Sequence, residues 1–297
     1  MFRNRHAVDP LLSTVIDRVP VLREAADLDV APLPGGLSNI SYVVSADGDQ
    51  YVVRLAGESG RALGLDRTQE CAALERAAIA GIAPNVVAFL SPEGHCVTRY
   101  LASARSFSVE DFSSEETVRR VALRMRDIHS LDPIDGVFDP YDDIRRWLVI
   151  TDEGRVSRPT RLAALLERID ASKSRLTARE IEPVLCHNDL VRMNFLDDDA
   201  LWVVDWEYAG MGDRMYDLAS IASPLDDTGR GLLLETYFEI VDDQIRSDLE
   251  TCIDLYLCWN IVWSLVQVLH SEIDFDYFEF AESRLDRVFG ARRSASS

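Results

Sequence analysis

The chain has 297 residues, of which 47% are hydrophobic and 28% are charged, a balance typical of a folded globular protein rather than a disordered one. It carries 51 acidic and 31 basic residues, and the resulting net charge of −20 disfavours nucleic acid or an anionic membrane as a partner. A cationic substrate would suit this charge. A nucleotide is not excluded, because Mg²⁺ and a local pocket can override the global sign.

The five cysteines are odd in number and form no C-x-x-C pair, so the sequence predicts neither a disulfide framework nor a zinc site. No apolar stretch follows the basic residues near the start, so no signal peptide is evident. The most apolar segment, residues 252–270, contains polar side chains that predict a core helix rather than a membrane span. We expect a cytoplasmic protein with reduced thiols. The oligomeric state is open, with a homodimer as one option.

Residues 1–102 predict a small lobe rich in β-strands, with one helix over residues 66–80. A glycine-containing loop at residues 34–39 joins the first two strands. The predicted strands cover residues 30–33, 40–44, 51–55, 86–90 and 95–100.

Residues 103–297 predict a larger, mainly helical lobe, interrupted by short strands between residues 184 and 204. The predicted fold class is therefore α+β, with a small antiparallel-sheet lobe and a large helical lobe. A cleft between two such lobes is a natural ligand site.

The most informative segment starts at His187 and ends with the run Asp205-Trp206-Glu207. Asp189 lies in a polar loop after a strand, Asn194 begins a hairpin, and Asp205 ends the second strand of that hairpin. Because a hairpin returns the chain to its start, we expect these three oxygen-bearing side chains to converge. Such oxygen ligands suit Mg²⁺. A catalytic Asp, an Asn five positions later and a second metal-binding Asp are the pattern of kinase-type phosphoryl transfer.

The small lobe contains candidates for the remaining parts of such a site. The loop at residues 34–39 is placed to cover phosphates, Arg54 lies on the third strand, and Glu70 lies in the following helix as its ion-pair partner. An ordinary turn, a strand-edge arginine and a solvated glutamate are the alternatives for these features. The sequence contains neither a Walker A motif nor G-x-G-x-x-G, which argues against P-loop and Rossmann folds.

Several of these segments resemble the choline/ethanolamine kinases, within the wider group of aminoglycoside-phosphotransferase-like small-molecule kinases. Arg54 stands where that wider group has Lys, and it fits the choline-kinase branch. The resemblance spans about residues 30–289. It is carried by G-G-L-S-N at 35–39, Y-V-V-R-L at 51–55, C-H-N-D-L at 186–190 with Asn194, V-D-W-E-Y-A-G at 204–210, and the segments 263–267 and 275–281.

The resemblance implies a protein-kinase-like bilobal fold and the ATP- and Mg²⁺-dependent phosphorylation of a small amino alcohol, choline or ethanolamine. Backbone groups near residues 98–101 would contact the adenine. The implied site residues are Asp189 as catalytic base; Asn194, Asp205 and Glu207 for the metal; Ser38, Asn39, Arg54, Glu70 and Arg99 for the nucleotide; and Asp213, Trp259, Trp263 and Phe280 for the acceptor.

The acceptor side leaves alternatives open. A quaternary ammonium has no N–H group, so aromatic faces and carboxylates must hold it. The family pattern has two aromatic residues three positions apart where this chain has Asn260 and Trp263, and the predicted aromatic residues could instead belong to the core. Asp213 and Glu207 could favour a primary amine such as ethanolamine.

Other functions remain as alternatives. A related kinase could act on another hydroxylated amine, a sugar or an aminoglycoside. A non-catalytic kinase-fold nucleotide-binding module is disfavoured because Asp189, Asn194 and Asp205 are all present. A metal-dependent phosphohydrolase would leave the glycine loop and Arg54 unexplained.

Overall fold

The structure, a computed structural model, describes residues 9–290 apart from 113, 178 and 180, with the backbone alone at 172, 174 and 175. The small lobe predicted over residues 1–102 is called the N-lobe below, and the helical lobe that follows it is called the C-lobe. The N-lobe contains one antiparallel sheet in the order β1-β2-β3-β5-β4, and its five strands confirm the sequence prediction. These strands are β1 (Leu28–Leu33), β2 (Ile40–Ala46), β3 (Asp49–Leu55), β4 (Val86–Leu90) and β5 (His95–Arg99).

The two faces of the sheet have different tasks. On β3, Tyr51, Val53 and Leu55 are buried in a core that also contains Leu12 of the first helix. Because successive side chains of a strand point to opposite faces, Arg54 is turned away from this core. This alternation places a charged side chain at the cleft on a strand whose other face is apolar.

The sequence predicts one helix before residue 100, and this prediction is incomplete, because the described residues contain four. α1 begins with Pro10 after Asp9, whose carboxylate accepts the Leu11 N–H at 2.8 Å, a start signal that the sequence does contain. α2 and α3 are too short to show a periodic pattern. The four helices are α1 (Pro10–Arg18), α2 (Pro20–Arg23), α3 (Ser59–Leu63) and α4 (Arg67–Ile79).

The C-lobe is built around one long helix, α11, which packs against α3, α7, α8, α9 and α12. By length and composition α11 could cross a membrane, but 83% of its most apolar window is buried inside the protein, as in a core helix. The described helices of this lobe are α5 (Val109–Phe112), α6 (Glu115–His129), α7 (Pro140–Glu153), α8 (Leu162–Thr177), α9 (Arg214–Ala222), α10 (Asp227–Tyr237), α11 (Asp243–His270) and α12 (Tyr277–Phe289).

Among the described residues, three short strands interrupt the C-lobe where the sequence predicts them, between residues 184 and 204, and two more, at residues 105–106 and 210–212, lie outside that predicted segment. β7 (Val184–Cys186) pairs antiparallel with β10 (Gly210–Gly212), so the two ends of the segment between them lie side by side. Between them, a 3₁₀ turn (Arg192–Asn194) precedes the hairpin of β8 (Phe195–Asp197) and β9 (Leu201–Val203), to which β6 (Arg105–Ser106) adds an edge strand. The α+β fold class is confirmed. The lobe boundary predicted at residues 102 and 103 falls in the turn between β5 and β6, and it stays a prediction.

Candidate active site

The loop after β7 is fixed by one buried carboxylate. Asp217, in the first turn of α9, accepts the backbone N–H groups of His187 and Asn188 at 2.8 and 2.6 Å. Its Oδ2 also lies 3.0 Å from Nε2 of the buried His129. Asn188 has φ +68°, a left-handed conformation that an asparagine tolerates, and it turns the chain immediately before Asp189. Asp217 and His129 therefore support the loop from beneath.

His187 ties the same loop to the hairpin. Its Nε2 donates to the Val204 carbonyl at 3.0 Å, and its Nδ1 accepts the Asp189 N–H at 3.3 Å. One ring nitrogen donates and the other accepts, so the imidazole is neutral, and burial lowers its pKa. The residue after Val204 is Asp205, whose backbone has φ +66°. The contact therefore sets the distance between the two acidic segments.

Oxygen-bearing side chains meet where the hairpin returns. Asn194 Nδ2 donates to the Asp189 carbonyl at 2.8 Å and to its carboxylate at 3.4 Å. Burial, together with the carboxylates of Asp205 and Glu207, raises the pKa of Asp189 to about 8. Burial and Asp205 likewise raise the pKa of Glu207 to about 7, with Arg54 opposing the shift. The Val204 N–H, immediately before Asp205, donates to the Asn194 carbonyl at 2.9 Å, so the backbone itself brings Asp189, Asn194, Asp205 and Glu207 into one cluster.

Two arginines of the N-lobe bind this acidic cluster. Arg54 Nη1 donates to Asp205 Oδ1 at 2.9 Å, and Arg54 Nη2 donates to Glu70, which is almost fully buried. Arg67 Nη1 donates to the other oxygen of Glu70 at 2.6 Å and lies 3.5 Å from Glu207. The predicted Arg54–Glu70 ion pair is therefore formed. Through Arg54 and Arg67 it extends across the cleft to Asp205 and Glu207, which follow the hairpin.

The glycine loop also reaches this cluster. Asn39 Nδ2 donates to Glu207 Oε2 at 3.0 Å, and Asn39 Oδ1 accepts the Gly57 N–H at 3.2 Å. A Cβ at residue 57 would lie 2.2 Å from the Ser38 carbonyl, so only glycine allows the two chain segments to approach this closely. Among the described residues, the Ser38 hydroxyl makes no hydrogen bond.

Trp259, predicted as an acceptor residue, lies in the core, and this prediction is corrected. Its exposed fraction is 2%, its Nε1 donates to Asp143 at 3.1 Å, and its ring packs against Trp147 at 5.0 Å and Tyr208 at 4.9 Å. A side chain surrounded in this way offers no face to a ligand. The core alternative is therefore the correct one for this residue.

Trp263 and Phe280 lie together beside the cluster. Trp263 Nε1 donates to the hydroxyl of Tyr208, the residue after Glu207, at 2.8 Å, and its ring meets Phe280 at 6.2 Å. The Arg284 guanidinium lies 3.9 Å from the centroid of the Phe280 ring, so a cation of the protein itself already occupies one face of that ring. A complete aromatic cage is therefore not formed by these residues.

Asp213 and Arg99 are engaged elsewhere. Asp213 caps α9 by accepting the Met215 N–H at 2.9 Å and forms an ion pair with Arg179, and among the described residues it makes no contact with the acidic cluster. The Arg99 guanidinium pairs with Asp49 at 3.0 Å. Its backbone N–H donates to Asn85 at 2.9 Å. Each of the two side chains is held in an ion pair with another residue and, within the described part of the chain, shows no contact with the acidic cluster, while the backbone of residues 98–101 stays the predicted adenine contact.

Comparison with known proteins gives the family. A family model described as a phosphotransferase enzyme family matches residues 29–247, which include nearly all of the five-stranded sheet, the loop after β7 and the hairpin. The chain belongs to this phosphotransferase family. It is a small-molecule kinase, an enzyme that transfers a phosphoryl group to an alcohol.

The relatives of this kinase are similar over most of its length. "Probable choline kinase 1" of Arabidopsis thaliana is 25% identical over 91% of this chain and 88% of the relative, and "Probable ethanolamine kinase A" of Dictyostelium discoideum is 22% identical over 92% and 89%. A crystal structure of a choline/ethanolamine kinase family protein from Mesorhizobium loti, 25% identical, has a TM-score of 0.77 and covers 93% of both chains. These similarities confirm the kinase-like bilobal fold and the family predicted from the sequence.

Sequence reasoning missed Arg67 at the site of this kinase, and it considered Tyr277 only as an aromatic residue near the acceptor and missed its contact with the glycine loop. Arg67 shares Glu70 with Arg54, and its spacing of three before Glu70 at the start of a helix was the available signal. Tyr277, at the start of α12, reaches the glycine loop across 240 residues of sequence. No local pattern could have indicated that contact.

Proposed function

We propose that this kinase transfers the γ-phosphoryl group of ATP, with Mg²⁺, to the hydroxyl of a small amino alcohol, with ethanolamine ahead of choline. The observation that carries the proposal is the joining of Asp189, Asn194 and Asp205 into one cluster beneath the Arg54–Glu70 pair. This combination matches the parts that phosphoryl transfer needs, which are positioning and electrostatic stabilisation.

The donor set suits Mg²⁺. Asp205 and Glu207 supply carboxylates, and because Asn194 uses its Nδ2 toward Asp189, its Oδ1 is left for a ligand. Hard oxygen donors with one or two carboxylates are what Mg²⁺ prefers alongside phosphate oxygens and water. A bound Mg²⁺ would neutralise charge on the triphosphate. We assign Asn194 and Asp205 to the metal, with Glu207 beside them.

Asp189 is the proposed catalytic base. It is partly buried, and the Asn194 amide that contacts both its backbone and its carboxylate holds it in place. A carboxylate in that position accepts the proton of the acceptor hydroxyl or orients that hydroxyl for attack. Since the transition state is loose, orientation of the hydroxyl contributes more than the basicity of the carboxylate.

The N-lobe residues are proposed to hold the nucleotide. Arg54 spans from Glu70 to Asp205, so its guanidinium lies where phosphate oxygens would join the acidic cluster. The unpaired hydroxyl of Ser38 and the glycine loop fixed by Asn39 are placed to contact the same phosphates. The backbone between residues 98 and 101 remains the proposed adenine contact.

The side of the cleft formed by Tyr256, Asn260, Trp263 and Phe280, called the acceptor wall below, favours an amine that carries N–H groups. Tyr256, Asn260 and Trp263 are spaced to share one face of α11, and Trp263 on this face donates to the hydroxyl of Tyr208, the residue after Glu207, so this face lies beside the acidic cluster. Asn260 Nδ2 donates to the Tyr256 carbonyl at 2.9 Å, which leaves Asn260 Oδ1 for a donor from the substrate. With Arg284 on one face of Phe280, a quaternary ammonium finds fewer aromatic faces, whereas a primary ammonium can use the amide oxygen.

The test is product analysis with purified protein, MgATP and a panel of ethanolamine, N-methylethanolamine, choline, a sugar and an aminoglycoside. We expect ³¹P NMR and mass spectrometry to detect phosphoethanolamine as the fastest product. Turnover of only the sugar or the aminoglycoside would overturn the acceptor class, and release of inorganic phosphate at equal rates with and without acceptor would indicate a phosphohydrolase. A cytoplasmic location and a homodimer stay predictions from the sequence.

A further inference from the structure

The glycine loop is held at its tip by a side chain of the C-lobe. Tyr277 Oη donates to the Leu37 carbonyl at 2.9 Å, and Leu37 packs against the larger hydrophobic core, which contains residues of both lobes. Asn39 and the close contact at Gly57 fix only the far end of the loop. Residues 34–39 are thus anchored from both lobes of the molecule.

The hydrogen bonds around Tyr277 have a defined direction. The Leu37 carbonyl can only accept, so the one hydroxyl proton of Tyr277 is given to the loop. Ser271 Oγ lies 2.7 Å from Tyr277 Oη and accepts the Ile273 N–H at 3.1 Å, so the Ser271 hydroxyl donates to Tyr277. The two hydrogen bonds therefore run in one direction, from the Ser271 hydroxyl to Tyr277 and from the Tyr277 hydroxyl to the Leu37 carbonyl of the loop.

The ring and the hydroxyl of Tyr277 have separable roles. The ring makes edge contacts with Trp263 at 5.9 Å and Phe275 at 5.0 Å, and it is 4% exposed. Its removal would disturb the packing between α11 and α12. The hydroxyl makes its contacts beyond that packing, so it can be deleted while the ring stays in place.

We propose that Tyr277 is a positioning residue for the phosphoryl donor, whose hydroxyl holds the tip of residues 34–39 over the β- and γ-phosphates of ATP. This inference rests on the nucleotide site of the proposed function. Tyr277 acts through the loop backbone and does not itself contact the nucleotide. Because its ring also contacts Trp263, one side chain links the acceptor wall to the donor loop.

The decisive experiment compares the Tyr277→Phe variant with the wild type in binding of MgATP and of AMP by titration calorimetry. Because one hydrogen bond is lost, we expect the variant to bind MgATP about three- to tenfold more weakly and to show a KM for MgATP that is higher by the same factor. AMP lacks the β- and γ-phosphates, so its affinity should change less than about twofold, as should the acceptor KM. Equal weakening of AMP and MgATP would indicate a general structural defect and would overturn the inference.

Two serine variants complete the test. Ser271→Ala removes the donor to Tyr277 and should weaken MgATP binding in the same direction by a smaller factor. Ser283→Ala removes a hydroxyl that donates within α12 to the Phe280 carbonyl at 2.7 Å, and it should match the wild type. If the wild type and Tyr277→Phe bind MgATP equally, this inference fails alone. If the wild type binds no MgATP and transfers no phosphate, the proposed function fails with it.

Discussion

The two walls of the cleft are built on different principles. On the nucleotide wall, Arg54 is shared between Glu70 and Asp205, and Arg67 between Glu70 and Glu207. On the acceptor wall, aromatic rings pack edge to face, and Arg284 makes no ion pair with a described carboxylate but lies on the Phe280 ring. Ion pairs hold the first wall together and aromatic packing holds the second. Substitutions in the two walls should therefore affect stability and kinetics differently.

The largest effect is expected where the walls meet. Asp189→Asn keeps the size of the side chain and removes the negative charge that orients the acceptor hydroxyl and accepts its proton, so kcat should fall by about 10³-fold, within the range of positioned acid–base groups. MgATP affinity measured by calorimetry should stay within a few-fold of the wild type. Asp199→Asn is the matched control, since Asp199 has φ +83° in the exposed hairpin turn and asparagine accepts that conformation. Wild-type turnover by Asp189→Asn would remove Asp189 from the catalytic role.

The next effect compares an arginine from each wall. Arg54→Met leaves buried Glu70 with Arg67 as its one remaining cation and should lower the free energy of unfolding by about 3 kcal/mol, the scale of a broken buried pair. Arg284→Met removes a guanidinium that stacks on a ring and should cost about 0.5–1 kcal/mol. Urea denaturation measures both values. Equal losses would show that the walls do not differ in their dependence on charge.

A third comparison lies within the acceptor wall. Trp259→Leu should lower the free energy of unfolding by about 3 kcal/mol as a core truncation and leave the acceptor KM unchanged. Trp263→Leu should raise the acceptor KM by about tenfold, because it removes an aromatic ring beside the acidic cluster that can attract the ammonium. Steady-state kinetics on the folded variants separate the two. A larger KM change at position 259 would reverse the assignment of these tryptophans.

The smallest effect concerns Asp213. As the N-cap of α9, its replacement in Asp213→Ala should lower the free energy of unfolding by about 1 kcal/mol. The acceptor KM should not change, because Asp213 is engaged by Arg179 and the helix start. A thermal melt and a kinetic assay on the same sample provide the measurement. A raised acceptor KM with an unchanged melting temperature would restore Asp213 to the substrate site.

The contrast between the walls also explains what the sequence could predict. The oxygen-bearing residues Asp189, Asn194 and Asp205 could be predicted because a strand, a loop and a hairpin fix their separation within 20 residues. Arg54 and Glu70 followed from strand and helix order. The strands of the N-lobe were found because runs of β-branched and aromatic residues between turn signals mark them, whereas α2 and α3, with four and five residues, are too short to show a helical repeat.

The aromatic residues were not accessible in the same way. Trp259 and Trp263 lie one helical turn apart and are both largely buried, so helical spacing cannot tell a core ring from one beside a ligand. Asp213 and Arg99 were assigned to ligands by position, yet Arg179 and Asp49, distant in sequence, hold them. Contacts of that kind depend on tertiary structure and leave no local signature.

The central place of α11 has a consequence for how the protein is made. Its residues 243–270 are synthesised after the loop that carries Asp189 and after the hairpin, yet they supply packing for α7 and α8, which precede both in the chain. During translation the earlier C-lobe helices therefore expose apolar surface until α11 has been synthesised, whereas all five strands of the N-lobe sheet are synthesised well before that. Because domains tend to form in the order of synthesis, nascent chains stalled before residue 243 should acquire a protease-resistant N-lobe and bind chaperones through the unfinished C-lobe.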